Sequence, residues 1–203
     1  MRIVNRSGIP DALFRYLTQD NYDYGEKGDS FSATEILNPI QIIVLKRRHW
    51  KDLVVDAIDQ LWKLLGSGVH AILEKEKGIE RIERLKVKVL GHDVSGRWDR
   101  IFNNEITDYK VTSAFAVMYG SRNEEWMEQL SIYRWLYFRV KGVLLAPKGH
   151  IVALLRDWSD KNTGPLKRGK ENKYPKAPAL QIGFDLMTPE ETETFVTEKI
   201  GKI

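Results

Sequence analysis

Two aspartates and a lysine fall close together between residues 95 and 110, and their spacing suits a hydrolytic site. Asp99 lies before Asn103-Asn104, Asp108 lies after it, and Lys110 follows two residues later. Asparagine tolerates the positive φ that a two-residue hairpin loop demands. The segment is therefore predicted to be a β-hairpin with Asn103-Asn104 as its loop.

In this hairpin Phe102 faces Glu105, and Asp99 lies directly opposite Asp108. Opposed residues have Cβ atoms about 4.5–5.5 Å apart, so the two carboxylates could share one divalent cation. Lys110 points to the same face as Asp108, because side chains alternate along a strand. The pattern favours metal-assisted hydrolysis. The alternative is an exposed hairpin whose acids form ion pairs with neighbouring basic residues.

A histidine upstream could join this group. His70 ends the segment Gly-Ser-Gly-Val-His within a predicted helix, where Val69 and Ile72-Leu73 are expected to face the core. A lone histidine on a helix is more often a structural or surface residue. Glu74 lies four residues further on the same face, and could orient the imidazole or join the site.

A third candidate pair lies on a helix rich in aromatic residues. Gln129 and Tyr133 are four residues apart, so they share one face. Together they could contact a base or a phosphate, or hold the metal ligands in place. The alternative is a half-buried polar stripe on a packed helix.

The elements that must position these residues follow from hydrophobic periodicity and capping signals. Helices are predicted from residue 33, over 51–76, over 123–139 and from residue 189, and strands over 85–91, on both sides of Asn103-Asn104, over 151–155 and over 179–186. The first thirty residues are expected to be irregular. The order predicts an α/β protein with a central mixed sheet flanked by helices.

Two glycines, Gly66 and Gly68, interrupt the second predicted helix. Each costs about 0.5–1 kcal/mol relative to alanine in a helix. We therefore expect a compensating feature there, such as the close approach of another backbone or of a substrate.

Composition excludes several classes of protein. The chain has 203 residues, of which 42% are apolar and 30% are charged, a composition typical of globular proteins. It has no cysteine, which excludes disulfides, thiolate zinc sites and iron–sulfur clusters. No apolar run reaches the length of a membrane span, and the N-terminus lacks the apolar segment of a signal peptide. A single domain in the cytoplasm is the expectation, without membrane attachment.

Basic residues are concentrated in two places. Residues 159–178 hold six basic residues against two acids, including Lys167, Arg168 and Lys170, and a second cluster spans residues 46–51. Such patches fit a polyanion such as DNA, although a solvated loop is the simpler alternative. Trp50, Trp126 and Tyr133 are candidates for stacking on unpaired bases, with core packing the more natural role for Trp126.

Taken in order, these features resemble the PD-(D/E)XK nuclease superfamily, in particular its RecB-like branch and the stand-alone nucleases of phages. The matching motifs are residues 66–70, 95–99, 106–110 and 129–133, and residues 31–39 and 156–158 also look like the phage members. The resemblance covers most of the chain, and the order of four motifs carries more weight than any one of them.

The resemblance implies a restriction-endonuclease-like core and assigns a role to each candidate. The metal ligands would be His70, Asp99, Asp108 and the backbone carbonyl of Tyr109, and Lys110 would be the catalytic lysine. The metal would be Mg²⁺ or Mn²⁺, without an iron–sulfur cluster.

Other matches and departures concern the neighbouring positions. Gln129 and Tyr133 would form the Gln-x-x-x-Tyr motif of the RecB-like branch. Two positions depart from the pattern: Trp98 stands where the superfamily name has proline, and the central acid, Asp108, is aspartate rather than glutamate. Lys110 could act as a base toward water or, still charged, stabilise the transition state.

By this resemblance the chain is expected to be a metal-dependent deoxyribonuclease, foremost an exonuclease in phage-type recombination or replication. It would act beside a single-strand annealing protein or a helicase. The alternatives are a structure-specific or single-strand endonuclease, and a DNA-binding protein that does not cleave. One nuclease domain would span residues 1–203, with an N-terminal wrap and helix over 1–50, the catalytic core over 51–158, and the basic loop, last strand and closing helix over 159–203.

Overall fold

The computed structural model of the protein describes residues 1–18, 29–73, 83–164 and 172–203. Within these ranges the strands are β1 (Arg2–Val4), β2 (Ser30–Ser32), β3 (Val54–Asp56), β4 (Leu85–Val89), β5 (His92–Gly96), β6 (Arg100–Phe102), β7 (Glu105–Thr112), β8 (Lys148–Leu155) and β9 (Ala179–Asp185). The α-helices are α1 (Asp11–Thr18), α2 (Ala33–Ile36), α3 (Ile40–Arg48), α4 (Ile58–Leu73), α5 (Ala114–Tyr119), α6 (Asn123–Lys141) and α7 (Pro189–Gly201).

The strands of the described ranges form three sheets rather than one. The largest has the order β6-β7-β8-β9, with β7 and β8 parallel and the outer pairs antiparallel. A second has the order β2-β5-β4, and β1 pairs with β3 in parallel. The expectation of an α/β protein with mixed sheets and flanking helices is confirmed.

The predicted hairpin is present with the predicted register. Asn103 and Asn104 form its loop with φ of 49° and 65°, and Phe102 pairs with Glu105. Asp99 directly precedes β6, and the same register places it opposite Asp108. The local turn therefore brings the two acids to one place.

Strand β8 is central, as its apolar run predicts. It lies between β7 and β9, pairs Ile151 with Asp108, and buries Ile151 and Ala153 completely. Helix α6 packs against this sheet, with Leu130 and Leu136 fully buried. Strand β7, which carries Asp108 and Lys110, is thus paired with β6 along one edge and with β8 along the other.

Two sequence predictions in the N-terminal third are wrong. The first thirty residues contain β1 and α1, and the helix predicted over 51–76 begins only at Ile58, after a 3₁₀ turn (Trp50–Asp52) and β3. The cause is the parallel pairing of β1 with β3, which joins segments about fifty residues apart. Local periodicity carries no information about such a contact.

The strand predicted over 85–91 is the first half of a second hairpin. Leu90 and Gly91 turn the chain with φ of 48° and 86°, and β5 returns antiparallel to β4. A leucine in the left-handed region is uncommon, so Gly91 is predicted as the end of a strand and not as half of a two-residue turn.

The capping predictions agree with the structure at both ends of the chain. The Ser32 hydroxyl accepts a hydrogen bond from the Glu35 N–H at the start of α2, and Pro39 precedes α3. Thr188 and Glu191 form a reciprocal capping box on α7. Helix α6 differs by one position, because Arg122 and not Asn123 is its N-terminal cap residue.

Candidate active site

Six of the predicted residues line one cavity of about 450 Å³, which is bounded by α2, α4, β5, β7 and α6. They are His70, Asp99, Asp108, Lys110, Gln129 and Tyr133. The other lining residues are Ser32, Ala33, Thr34, Ser67, Ala71, Arg84, Ser95, Gly96 and Arg97. Residues from four separate motifs of the sequence therefore converge on a single space.

Strand β7 supplies an acid and a lysine that contact each other. Lys110 Nζ lies 2.7 Å from Asp108 Oδ2, and the Asp108 side chain is buried. Burial raises the pKa of the Asp108 carboxyl to about 6, the charge of Lys110 opposes this rise, and the charge of Asp99 adds to it. The cost of burying Asp108 therefore outweighs its attraction to Lys110, whose side chain stays partly exposed.

Both oxygens of Asp99 are engaged. The Tyr109 backbone N–H donates to Asp99 Oδ2 at 2.7 Å, and His70 Nδ1 forms a 2.8 Å hydrogen bond with Asp99 Oδ1. This hydrogen bond raises the pKa of His70, while partial burial lowers it to a smaller extent. Since a residue in a strand points its N–H and C=O to the same side, the Tyr109 carbonyl also faces Asp99.

Helix α4 brings His70, Ser67 and Ala71 to the cavity but is only loosely covered. Ile72 is 69% exposed, so the prediction that Ile72 faces the core is wrong. The structure gives no sign of the close backbone approach expected at Gly66 and Gly68, since among the described residues nothing lies within 4 Å of an added Cβ at either. The substrate alternative for these glycines stays open.

Helix α6 supplies the amide and the phenol. Gln129 Nε2 donates to the Tyr133 hydroxyl at 2.6 Å, and both side chains are buried except toward the cavity. Burial, together with the charge of Asp108, raises the pKa of Tyr133. The phenol therefore keeps its proton, and because its oxygen accepts from Gln129, that proton remains available to a ligand. The alternative of a half-buried polar stripe differs from the structure, in which both side chains are buried.

A glycine allows α6 to approach this closely. A Cβ added at Gly96, the last residue of β5, would lie 2.8 Å from Leu136 Cδ1 and 2.9 Å from two ring atoms of Tyr133. Trp98 packs beside the same tyrosine with ring centroids 6.2 Å apart. The position of Tyr133 thus depends on the absence of a side chain at residue 96.

Sequence reasoning missed Arg84, Ser95, Ser67 and Thr34 as cavity residues. Arg84 Nη1 donates to Ser95 Oγ at 3.4 Å, near Tyr133. The β4–β5 hairpin would have revealed this proximity, because it pairs Leu85 with Gly96. The unrecognised turn at residues 90–91 concealed it.

The outcome differs for the remaining predicted residues. Glu74, Lys167, Arg168 and Lys170 fall outside the described residues. Within the 46–51 cluster, Arg47 is paired with Glu35 at 2.9 Å and also donates to the Ser30 carbonyl at 2.6 Å, so it has an internal partner and is not presented to a phosphate. Trp126 and Tyr133 are buried and offer no open ring face to a base.

The candidate ligands have the chemistry that a hard divalent cation prefers, but their side chains are hydrogen-bonded or ion-paired to one another or to Lys110. Two carboxylates, an imidazole and a backbone carbonyl are ligands that Mg²⁺ and especially Mn²⁺ accept. Within the described residues the buried Asp108 Oδ2 has no hydrogen bond of suitable geometry, despite its ion pair with Lys110. In the same part of the chain, no three acidic or histidine side chains are arranged as a ready ligand set. Binding would require Asp99 and His70 to exchange their mutual bond for the ion.

Comparison with known proteins gives information on the fold. No protein-family model matches the chain, and no curated protein matches it. A crystal structure of a protein called SSO0001 superimposes with a TM-score of 0.58 at 17% sequence identity, covering 94% of this chain and 84% of that one. At this identity the likeness shows a shared fold alone. Among the helices of the described residues, none combines the length and the apolar character needed to cross a membrane.

Proposed function

We propose that the protein is a metal-dependent deoxyribonuclease of the PD-(D/E)XK superfamily that acts as an exonuclease. The observation that supports this proposal is the convergence of Asp99, Asp108, Lys110 and His70 on one cavity, beside the bonded pair on α6. Separate acids and a lysine are common on protein surfaces. Their assembly with a buried carboxylate of raised pKa is typical of a catalytic site.

The metal would be held by His70, Asp99, Asp108 and the Tyr109 carbonyl. When bound, Mg²⁺ or Mn²⁺ would polarise the phosphate and lower the pKa of a bound water. Asp99 links these groups, because one of its oxygens contacts His70 and the other contacts the Tyr109 amide. Asp99 therefore connects α4 to β7 at the site, and its bond with His70 is the one that the ion would replace.

Lys110 is placed to act on the reacting phosphate or on the attacking water. Its Nζ is held by Asp108 at 2.7 Å, and the side chain keeps some access to the cavity. An ammonium there can donate hydrogen bonds to a phosphate oxygen as negative charge develops, which is the usual source of catalytic stabilisation. Its part as a base toward water is the other role that the same position allows.

Gln129 and Tyr133 would position the substrate rather than react with it. The amide holds the phenol oxygen, and the phenol proton is free to bind a phosphate or a base edge in the cavity. Arg84 and Arg97 line the same cavity and add positive charge next to it. A polyanionic strand is the ligand that this set of donors matches.

An end-labelled DNA assay tests the proposal. Linear single- and double-stranded DNA and a closed circle are incubated with Mg²⁺, with Mn²⁺ or with EDTA, and products are followed over time. We expect metal-dependent loss of linear DNA with the circle spared. Cutting of the circle would make the endonuclease alternative the function, and binding without cleavage under either metal would favour the non-cleaving DNA-binding protein.

Lys110→Ala and Asp108→Ala test the residues themselves. Each should lower the cleavage rate at least about a hundredfold, the scale of losing one oxyanion-stabilising donor, while DNA binding is kept. The matched controls are Lys88→Ala and Asp93→Ala, an exposed lysine–aspartate pair across β4 and β5 outside the cavity lining. Turnover that survives in Lys110→Ala, or that falls equally in Lys88→Ala, would remove the proposed site.

A further inference from the structure

The aromatic residues predicted to stack on bases do not present an open ring at the cavity. Trp126 and Tyr133 are buried, and Trp50 does not line the cavity. Trp62, on α4, is 55% exposed although it is a large apolar side chain. Single exposed apolar side chains are common on protein surfaces, so the surroundings of Trp62 decide whether it has a role.

Trp62 has a cationic partner. The guanidinium carbon of Arg156 lies 4.3 Å from the centroid of its ring, which is the geometry of a cation–π contact. Arg156 directly follows β8, and its backbone N–H donates to the Thr112 carbonyl at 3.0 Å. The arginine is thus attached to the end of the sheet, and it covers only part of the indole.

Two paths along the chain connect this pair to the cavity. Along α4, Trp62 precedes His70 by eight residues, which is about 12 Å of helix. Along β7, Thr112 lies two residues beyond Lys110, on the same strand. Helix α4 contacts β7, and the contacts of Trp62 with Arg156 and of His70 with Asp99 lie toward opposite ends of α4.

We infer that Trp62 and Arg156 form a binding site for an unpaired nucleobase of the strand that enters the cavity. The inference rests on the proposed function and deepens it, since it identifies a single strand as the substrate. About 12 Å corresponds to three or four stacked nucleotides at about 3.4 Å each. A base three or four nucleotides from the reacting phosphate would stack on the exposed indole, and Arg156 would contact the adjoining phosphate.

Charge and exposure favour this occupant. A guanidinium over the ring attracts an anionic ligand, and base–aromatic stacking beside arginine is the usual way in which proteins hold single strands. Inside a duplex each base face is covered by its neighbours, so only an unpaired base or the pair at an open end can stack on the indole. An apolar protein segment would have to desolvate the Arg156 charge.

The chain contains a matched control for this pair. Phe102 is 54% exposed, and Arg100 lies 4.5 Å from its ring centroid. Both side chains occupy alternate positions of β6, so they point to the face opposite Asp99. The control is also an exposed arginine–aromatic contact, but it lies on the hairpin face away from Asp99 rather than between α4 and the end of β8.

Binding is measured by fluorescence anisotropy with a labelled oligothymidine, an abasic oligonucleotide of equal length and a duplex whose two ends are closed by abasic loops. All proteins carry Lys110→Ala and EDTA is present, so that no strand is cut. Trp62→Ala should raise Kd for oligothymidine about 5–150-fold, which corresponds to one lost stacked base. Trp62→Phe should retain most of the affinity, and Phe102→Ala should not change it.

On the abasic strand and on the duplex, Trp62→Ala should bind like the parent. Equal oligothymidine affinity in Trp62→Ala and the parent would overturn the inference, as would an equal loss on the abasic strand or an equal loss in Phe102→Ala. Cleavage by the unmodified chain is scored separately. If the unmodified chain cleaves DNA and Trp62→Ala binds oligothymidine as tightly as the parent, only this inference is rejected. If Trp62→Ala binds more weakly but the unmodified chain does not cleave, the base site is kept and the nuclease is rejected.

Discussion

Helices α4 and α6 both supply side chains to the cavity, yet the rest of the protein holds them in different ways. The middle of α6 is buried in the main core, from Trp126 to Leu136, whereas none of residues 58–73 in α4 is buried. Gln129 and Tyr133 are therefore positioned by packing. His70 is positioned chiefly by its hydrogen bond with Asp99.

The cavity therefore has a fixed wall, formed by α6, and a weakly supported wall, formed by α4. Packing of a fully buried side chain contributes several kcal/mol, whereas exposed helix positions contribute little. We expect α4 to open at a lower free energy than α6, since few buried contacts resist its opening. A substrate entering between them would move α4 more readily than α6.

Two tryptophans give the largest expected contrast between the helices. Trp126 in α6 is 1% exposed and packs edge-on against Phe184, so Trp126→Ala should lower the free energy of unfolding by about 3–5 kcal/mol. Trp62→Ala in α4 should lower it by about 1 kcal/mol or less, the size of an exposed cation–π contact. Urea unfolding followed by circular dichroism measures both. Equal losses would contradict the comparison.

Gly96→Ala should have an intermediate effect. The new methyl group would lie within 2.9 Å of Leu136 and Tyr133, both in the fixed wall, and relief requires these side chains to move. Overpacking of this kind costs about 1–3 kcal/mol. The midpoint of urea unfolding should fall, and cleavage should fall with it because Tyr133 is displaced. An unchanged midpoint would show that α6 yields easily and is not a fixed wall.

The smallest effect should have the opposite sign. Gly66→Ala and Gly68→Ala lie in the middle of α4 with open space around an added Cβ, so each should raise the free energy of unfolding by about 0.5–1 kcal/mol. The readout is again urea unfolding, with the cleavage rate measured in parallel. Stabilised variants with full activity would exclude a substrate contact at these glycines, and stabilised variants with reduced activity would support one. Destabilisation would contradict the open environment of this face.

The parts of the site that sequence predicted are those set by local geometry. Asn103-Asn104 determines the hairpin register, this register places Asp99 opposite Asp108, and strand alternation places Lys110 beside Asp108. Each step needs only the preference of a turn and the two-residue period of a strand. Gln129 and Tyr133 follow in the same way from helical spacing.

The parts that sequence did not predict depend on distant contacts. Helix α4 begins later than predicted because the residues before it pair with β1 as strand β3. Strand β5 and the position of Arg84 were not predicted because the turn at Leu90 was not recognised. The exposure of Ile72 is a further case, because helical periodicity identifies an apolar face but not whether another element covers it. The roles of the residues, including metal binding, remain predictions that the experiments above address.

The two-residue turn at Asn103-Asn104 has a consequence for the order of folding. Asp99 and Asp108 are nine positions apart, and hairpins form in about 1–10 μs, whereas β7 must pair with β8 across the intervening residues 113–147. The entropy of closing the longer loop makes the second step slower. We therefore expect the acid pair to meet early in folding, before the sheet encloses it, and the imidazole of His70 to join it afterwards.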